Sequence, residues 1–148
     1  MTRLTQIVSD RRVSSASATW LLTARLCLAA VFLYSGATKL VFWSAGVEEF
    51  AALSLPMPVL ALAATIALQI GAGMALVIGW RSKPAALALA AFTVMATLIG
   101  HPFWGFEGSD FQRQLTIAME HLAIVGGLLA IAIAGPGPFS IQPREHSS

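Results

Sequence analysis

Charge is what this sequence has least of. Nine Lys and Arg and seven Asp and Glu among 148 residues leave 11% of the chain charged, against about 25% in a soluble domain. That is too little charge to cover a water-facing surface, while 57% of the residues are apolar and the mean hydropathy is +0.76. The same figures exclude a disordered chain, which is poor in apolar residues and rich in charge. Cysteine is nearly absent too. Cys27 stands alone, so neither an intramolecular disulfide nor a C-x-x-C redox pair can form. No phosphate-cradling loop, nucleophile elbow or His-x-x-x-His pair occurs, which leaves nucleotide enzymes and hydrolases without support. The basic residues are scattered and build no nucleic-acid patch.

What is present is a set of long apolar runs. A membrane-spanning helix takes about 20 residues, and four such runs fit the chain, over about 20–40, 59–80, 85–100 and 113–134. The reading is an all-α integral membrane four-helix bundle whose first partner is the lipid bilayer. Residues 1–18 are polar and read as a flexible cytoplasmic tail, 19–138 as the four-span domain, and 139–148 as a second cytoplasmic tail. Arg25 falls inside the first run, where a cleavable signal would have only apolar residues, so that run is read as a retained span. Pro56 and Pro58 mark the start of the second helix, because proline suits a first turn and resists an interior. Gly135-Pro136-Gly137-Pro138 stops the fourth. Residues 44–54 are too short and too acidic (Glu48, Glu49) to span, and Val47, Phe50, Ala51 and Ser54 recur at helical spacing. They read as a short amphipathic helix on the surface between helices 1 and 2.

Orientation follows from the basic residues. Arg3, Arg11, Arg12, Arg81, Lys83 and Arg144 collect on one side, and only Lys39 and Arg113 on the other. Positive residues stay cytoplasmic, which predicts both termini on the cytoplasmic side. The opposite loops carry Phe42, Trp43, Phe103, Trp104, Phe106 and Phe111. These serve either as an interfacial belt or as the wall of a ligand pocket.

Without a hydrophobic drive between helices in lipid, small residues mark the places where backbones meet. Ala63, Ala67, Gly71, Ala75 and Gly79 recur every fourth position in span two, and Gly126, Ala130 and Ala134 in span four. Gly36, Gly71, Gly79 and Gly126 are the expected packing glycines, inside one bundle or at a homodimer face.

Polar residues inside the runs are the candidates for chemistry, since a charge in hydrocarbon costs about 2.5–3.5 kcal/mol on insertion scales. They are Arg25, Lys39, Gln69, His101, Glu120 and His121. Arg25 and Lys39 stand 14 residues apart, close to four turns, and so share one face with Ala29, Phe32 and Gly36. That face should look into the bundle. Glu120 lies about 9 Å below the membrane surface at 1.5 Å per residue, with Lys39, Arg25 and Arg113 all available as its ion-pair partner. Two readings follow: a charge pairing among Arg25, Lys39 and Glu120 that fixes helix order, or a polar pocket built from Lys39, Gln69, His101, Glu120 and His121. Glu120 and His121 are adjacent and point about 100° apart, and the Glu-x-x-His spacing of bundle metal sites is missing. No metal site is read.

Several of these features occur together in a known family. Arg25, Tyr34-Ser35-Gly36-Ala37-Thr38-Lys39-Leu40, Leu55-Pro56-Met57-Pro58 and Gln69-Ile70-Gly71-Ala72-Gly73 are followed by His101-Pro102-Phe103, Gly126-Gly127 and Gly135 to Ile141. From Arg25 to Ser140 the chain resembles the DoxX family of small bacterial four-helix membrane proteins. It departs from the family's usual pattern at Gln69, where Glu is common, and at Gln142, where Asp is frequent; a neutral Gln69 weakens a proton-relay role there. The resemblance implies a membrane subunit of an oxidoreductase system, linked to quinone; with no haem, flavin or metal motif in the sequence, no covalently bound cofactor is expected and the electrons would come from a redox partner protein. It hands over no catalytic residues. A quinone needs an apolar slot and polar groups for its two oxygens, which Lys39, His101, Glu120 and His121 could supply. The rival readings are a small-molecule or proton-coupled carrier and a non-catalytic scaffold for a partner complex.

Overall fold

A computed structural model describes residues 2–141, with side chains from residue 16 onward. Its helices are α1 (Thr2–Val41), α2 (Trp43–Ala52), α3 (Pro58–Ile78), α4 (Ser82–Gly100) and α5 (Gly108–Ala134), with a 3-10 turn at Phe103–Gly105. Among the described residues there is no strand. Four segments are long and apolar enough to cross a bilayer: Ala16–Val41, Pro58–Ile78, Ser82–Gly105 and Gly108–Ala134. The short amphipathic element is α2, within the 44–54 window give or take two residues.

The helix boundaries follow local chemistry. α1 is helical back to Thr2, where the sequence reading places a tail, because no glycine or proline interrupts the first 35 residues. Pro58 occupies the first turn of α3, preceded by Met57 in the left-handed region at φ 54°. α3 ends in a Schellman turn: Gly79 takes φ 73°, its N–H donates to Leu76 O at 3.3 Å, and Trp80 N–H donates to Ala75 O at 2.9 Å. α5 begins five residues before the expected 113, with Asp110 in its first turn, where a carboxylate complements the helix dipole. Gly135 at φ 77° stops it.

The four long helices form a ring, with α1 packed on α3, α3 on α4, α4 on α5, and α5 back on α1. Ala29, Phe32, Leu76, Leu89, Leu128 and Ile131 fill one part of the core. A second cluster of Phe50, Leu62 and Ile66 fixes α2 across the start of α3. The buried face of α3 runs through Leu62, Ile66, Gln69, Gly73 and Leu76, a 3.6-residue period. The expected every-fourth-residue stripe drifts by about 40° per step around a helix, which is why it leaves the interface. A Cβ on Gly71 or Gly126 would meet nothing within 4 Å, so these two are not packing glycines within the bundle. Gly73, set against Leu33, and Gly127, set against Leu28, do that work with Gly36 and Gly79. At Gly36 a Cβ would come 2.8 Å from Ile70 Cγ1 and 3.3 Å from Gln69 Cβ. This close approach brings α1 and α3 together beside Ser35 and Lys39.

Arg25 closes the end of the bundle away from α2. It is fully buried, and its partners are backbone carbonyls rather than a carboxylate. Nε donates to Leu76 O at 2.9 Å and Nη2 to Val77 O at 2.9 Å. Nη1 donates to Phe139 O at 2.9 Å and also to Pro136 O. Carbonyls in the last turn of a helix have no partner within it and carry the negative end of its dipole, so the guanidinium satisfies α3 and is compensated by it. The same contacts hold residues 135–141 against the bundle, aided by Ile141 N–H donating to Ile78 O at 3.2 Å. The segment expected as a tail from 139 therefore begins as a docked hook. Residue 1 and residues 142–148, which include Gln142 and Arg144, lie outside the described residues, as do the side chains of Arg3, Arg11 and Arg12.

Candidate functional site

Near the α2 end, where the ring of helices is less tightly filled, a cavity of about 360 Å³ draws lining residues from all five helices. Its size falls within the range of small-molecule sites, about 300–1,000 Å³. Most of the lining is apolar, with Phe32, Phe50 and Phe92 among it, and the polar groups gather on two walls.

The α1–α3 wall is built around Ser35. Ser35 and Lys39 are one turn apart on α1, so their side chains meet, and Lys39 Nζ donates to Ser35 Oγ at 2.9 Å. Gln69 Nε2 donates to the same oxygen at 3.1 Å. Gln69 is 4% exposed, and its Oε1 has no hydrogen-bond partner among the described residues. The Gly36 contact fixes this geometry by setting Gln69 against α1.

The α4–α5 wall carries the two histidines, with ring centroids 5.3 Å apart at an interplanar angle of 69°. Their tautomers follow from their neighbours. Thr97 Oγ1 donates its only hydrogen to Thr93 O at 2.7 Å. It must then accept from His121 Nδ1, 2.7 Å away. His101 Nδ1 lies 2.8 Å from Gln114 Oε1, an acceptor, so it too carries a hydrogen. A neutral imidazole with a donor Nδ1 has an acceptor Nε2. The wall thus offers two acceptor nitrogens, neither with a partner among the described residues.

The cavity opens on the apolar surface of the bundle. Val31, Met95 and Ile99 line it, yet are 45%, 57% and 37% exposed. Phe42, Trp43, Phe103, Trp104, Phe106 and Phe111 are not among its lining residues, and this favours the interfacial belt for them. Glu49 of α2 contributes to the lining from an exposed position.

Of the residues expected in a polar pocket, Lys39, Gln69, His101 and His121 come together here, and Glu120 does not. Glu120 is exposed, because turning His121 inward rotates its neighbour about 100° away. The expected charge pairing is absent as well. Among the described residues the one salt bridge joins Arg113 and Asp110 at 3.2 Å, and both are exposed enough for it to contribute little. Arg25 lies about 21 Å along α1 from Lys39 and takes no part in the cavity. Ser35, Glu49, Thr97 and Gln114 are participants that sequence reasoning did not single out. Ser35 could have been found from its four-residue spacing to Lys39; the others depend on how the helices face one another. No three His, Cys, Asp or Glu side chains gather as a metal site among the described residues.

Four bilayer-length helices ringed around a cavity with exposed apolar residues at its rim define a small polytopic membrane protein with room for a ligand. The chain belongs to the DoxX family, whose model matches residues 20–102; that stretch contains Arg25, Lys39, Gln69 and His101 but not His121. It is 29% identical over 124 residues to the inner membrane protein YphA of Escherichia coli strain K12, covering 84% of this chain and 89% of that protein. It is 30% identical over 123 residues to the inner membrane protein YqjF of the same organism, covering 82% and 88%. No solved structure gives a significant match.

Proposed function

We propose that the protein is a quinone-binding membrane subunit of an oxidoreductase system, seated in the bacterial inner membrane with both termini cytoplasmic. The observation that carries this reading is the two-walled cavity: an apolar slot between polar groups, opening on a lipid-facing surface. A quinone ring fits beside Phe32 and Phe92, Lys39 is placed to donate to one ring oxygen, and the exposed apolar mouth at Val31, Met95 and Ile99 suits an isoprenoid tail. A bound quinone would supply the capacity to take up and release electron pairs with protons. Lys39, Ser35 and Gln69 would orient it, and a redox partner protein would exchange electrons with it. The inner-membrane names of YphA and YqjF support the location, and the six-to-two bias of basic residues supports the orientation. A carrier has less support, because Arg25 ties α1, α3 and the terminal hook together at the other end by four hydrogen bonds.

The test is solvent extraction of gently purified protein, with mass spectrometry for quinone and a Lys39→Ala/His121→Ala double variant as control. About one quinone per chain, lost in the variant, is the expected result. Absence of quinone from both samples would overturn the reading.

A further inference from the structure

The two walls of the cavity are chemically unlike. On the α1–α3 side Lys39 presents an ammonium with three donors, of which one is used on Ser35. On the α4–α5 side both histidines hold a hydrogen on Nδ1, through Thr97 and Gln114, so that each neutral ring lining the cavity has an acceptor Nε2. A plain quinone carries an acceptor oxygen at each end of its ring. It satisfies Lys39 but sets acceptor against acceptor at the histidines. A ring with a hydroxyl satisfies both walls, donating to an imidazole Nε2 while a second oxygen accepts from Lys39. The charge balance points the same way. Among the described residues Glu49, exposed on α2, is the only carboxylate that lines the cavity, and it makes no salt bridge with Lys39. When the hydroxyl's proton passes to the Nε2 that accepts it, the negative charge left on the ring delocalises onto the oxygen opposite Lys39 and faces its ammonium.

We infer that the cavity selects ligands whose ring bears an ionisable hydroxyl, a hydroquinone or a hydroxyquinone, over quinones without one, with His101 and His121 as the hydroxyl acceptors and Lys39 opposite. This selectivity rests on the ligand-site reading proposed for the cavity. It does not require the chain to carry out electron transfer.

Two probes separate the alternatives: a dimethyl naphthoquinone, and the hydroxy methyl naphthoquinone that has a ring hydroxyl in place of one methyl. Binding of each to the full chain in lipid nanodiscs is measured for wild type, His121→Phe and His101→Phe, so that partitioning into lipid cancels between proteins. Each substitution is expected to weaken the hydroxy compound at least about tenfold more than the dimethyl compound, roughly 1.4 kcal/mol of selectivity. Equal losses for the two compounds, or equal binding of the hydroxy compound by wild type and both variants, would overturn the selectivity and leave the ligand site standing. Failure of wild type to bind either compound would overturn the site and the selectivity together. Folding of each variant is read independently from its thermal unfolding, and either variant alone suffices.

Discussion

Arg25, midway along α1, and Lys39, near its C-terminal end, each place a cation inside the bundle on the same helical face, and the molecule treats them in opposite ways. Arg25 is fully buried and engages four carbonyls from α3 and the terminal hook. Lys39 has a single hydrogen bond, to Ser35, beside open volume. The forked guanidinium can bond several carbonyls at once, whereas an ammonium is a compact point charge on a flexible stem. A buried cation with four of its five donors held by carbonyls belongs to the fold, and one held loosely at a cavity wall is available to a ligand. The contrast assigns stability to one end of the molecule and binding to the other.

The largest expected effect breaks the Arg25 end. Arg25→Leu leaves the carbonyls of Val77, Pro136 and Phe139 without their donor, while Leu76 O keeps only the Gly79 N–H, and unsatisfied buried groups cost about 1–3 kcal/mol each. A loss of at least about 3 kcal/mol is expected in reversible unfolding in detergent, and Arg25→Lys should recover only part of it. Wild-type stability in Arg25→Leu would contradict the structural role. Gly79→Ala comes next, since the residue sits at φ 73° with Ser140 Cα 2.8 Å and Arg25 Nη2 3.0 Å from the new Cβ. A loss of about 2 kcal/mol is expected, appearing as a lowered Tm and faster proteolysis of the terminal hook.

Two glycines on the remaining helix surfaces give a finer comparison. Gly36→Ala must displace Ile70, and overpacking of this kind costs about 1–3 kcal/mol. Gly71→Ala meets only open space and should leave Tm unchanged or slightly raised, through the better helix propensity of alanine. Equal effects at the two sites would show that the α1–α3 contact is misplaced. The smallest effect is expected from Glu120→Gln. The side chain is exposed and makes no ion pair among the described residues, so stability should stay within about 0.5 kcal/mol and ligand content should not change.

Much of the fold was legible because it is written in runs. Four apolar stretches, Pro58 at a helix start and Gly135 at a helix stop mark the elements before any packing is known. The shared face of Arg25 and Lys39 was legible for the same reason, since a 14-residue spacing is fixed by helix geometry. What Arg25 binds was not, because its partners are backbone carbonyls and every residue has one. The proposed ion pair with Glu120 failed on rotation: of two adjacent polar residues, only one can turn inward, and the choice of His121 is made by Thr97 on the neighbouring helix. The choice of Gly73 over Gly71 is likewise a matter of which face α3 shows to α1, and an every-fourth-residue pattern does not carry that phase.

The contrast between the two ends comes down to whether Lys39 serves a ligand. Thermal unfolding of wild type and Lys39→Met, with and without a short-chain quinone, puts that directly to the test. Ligand at about a hundred times its Kd stabilises a folded protein by about 2.7 kcal/mol, so the wild-type Tm should rise by several degrees. Lys39→Met should unfold close to the wild-type temperature without ligand and gain little or nothing with it. An equal rise in both proteins, or none in either, would contradict a binding role for the Lys39 end.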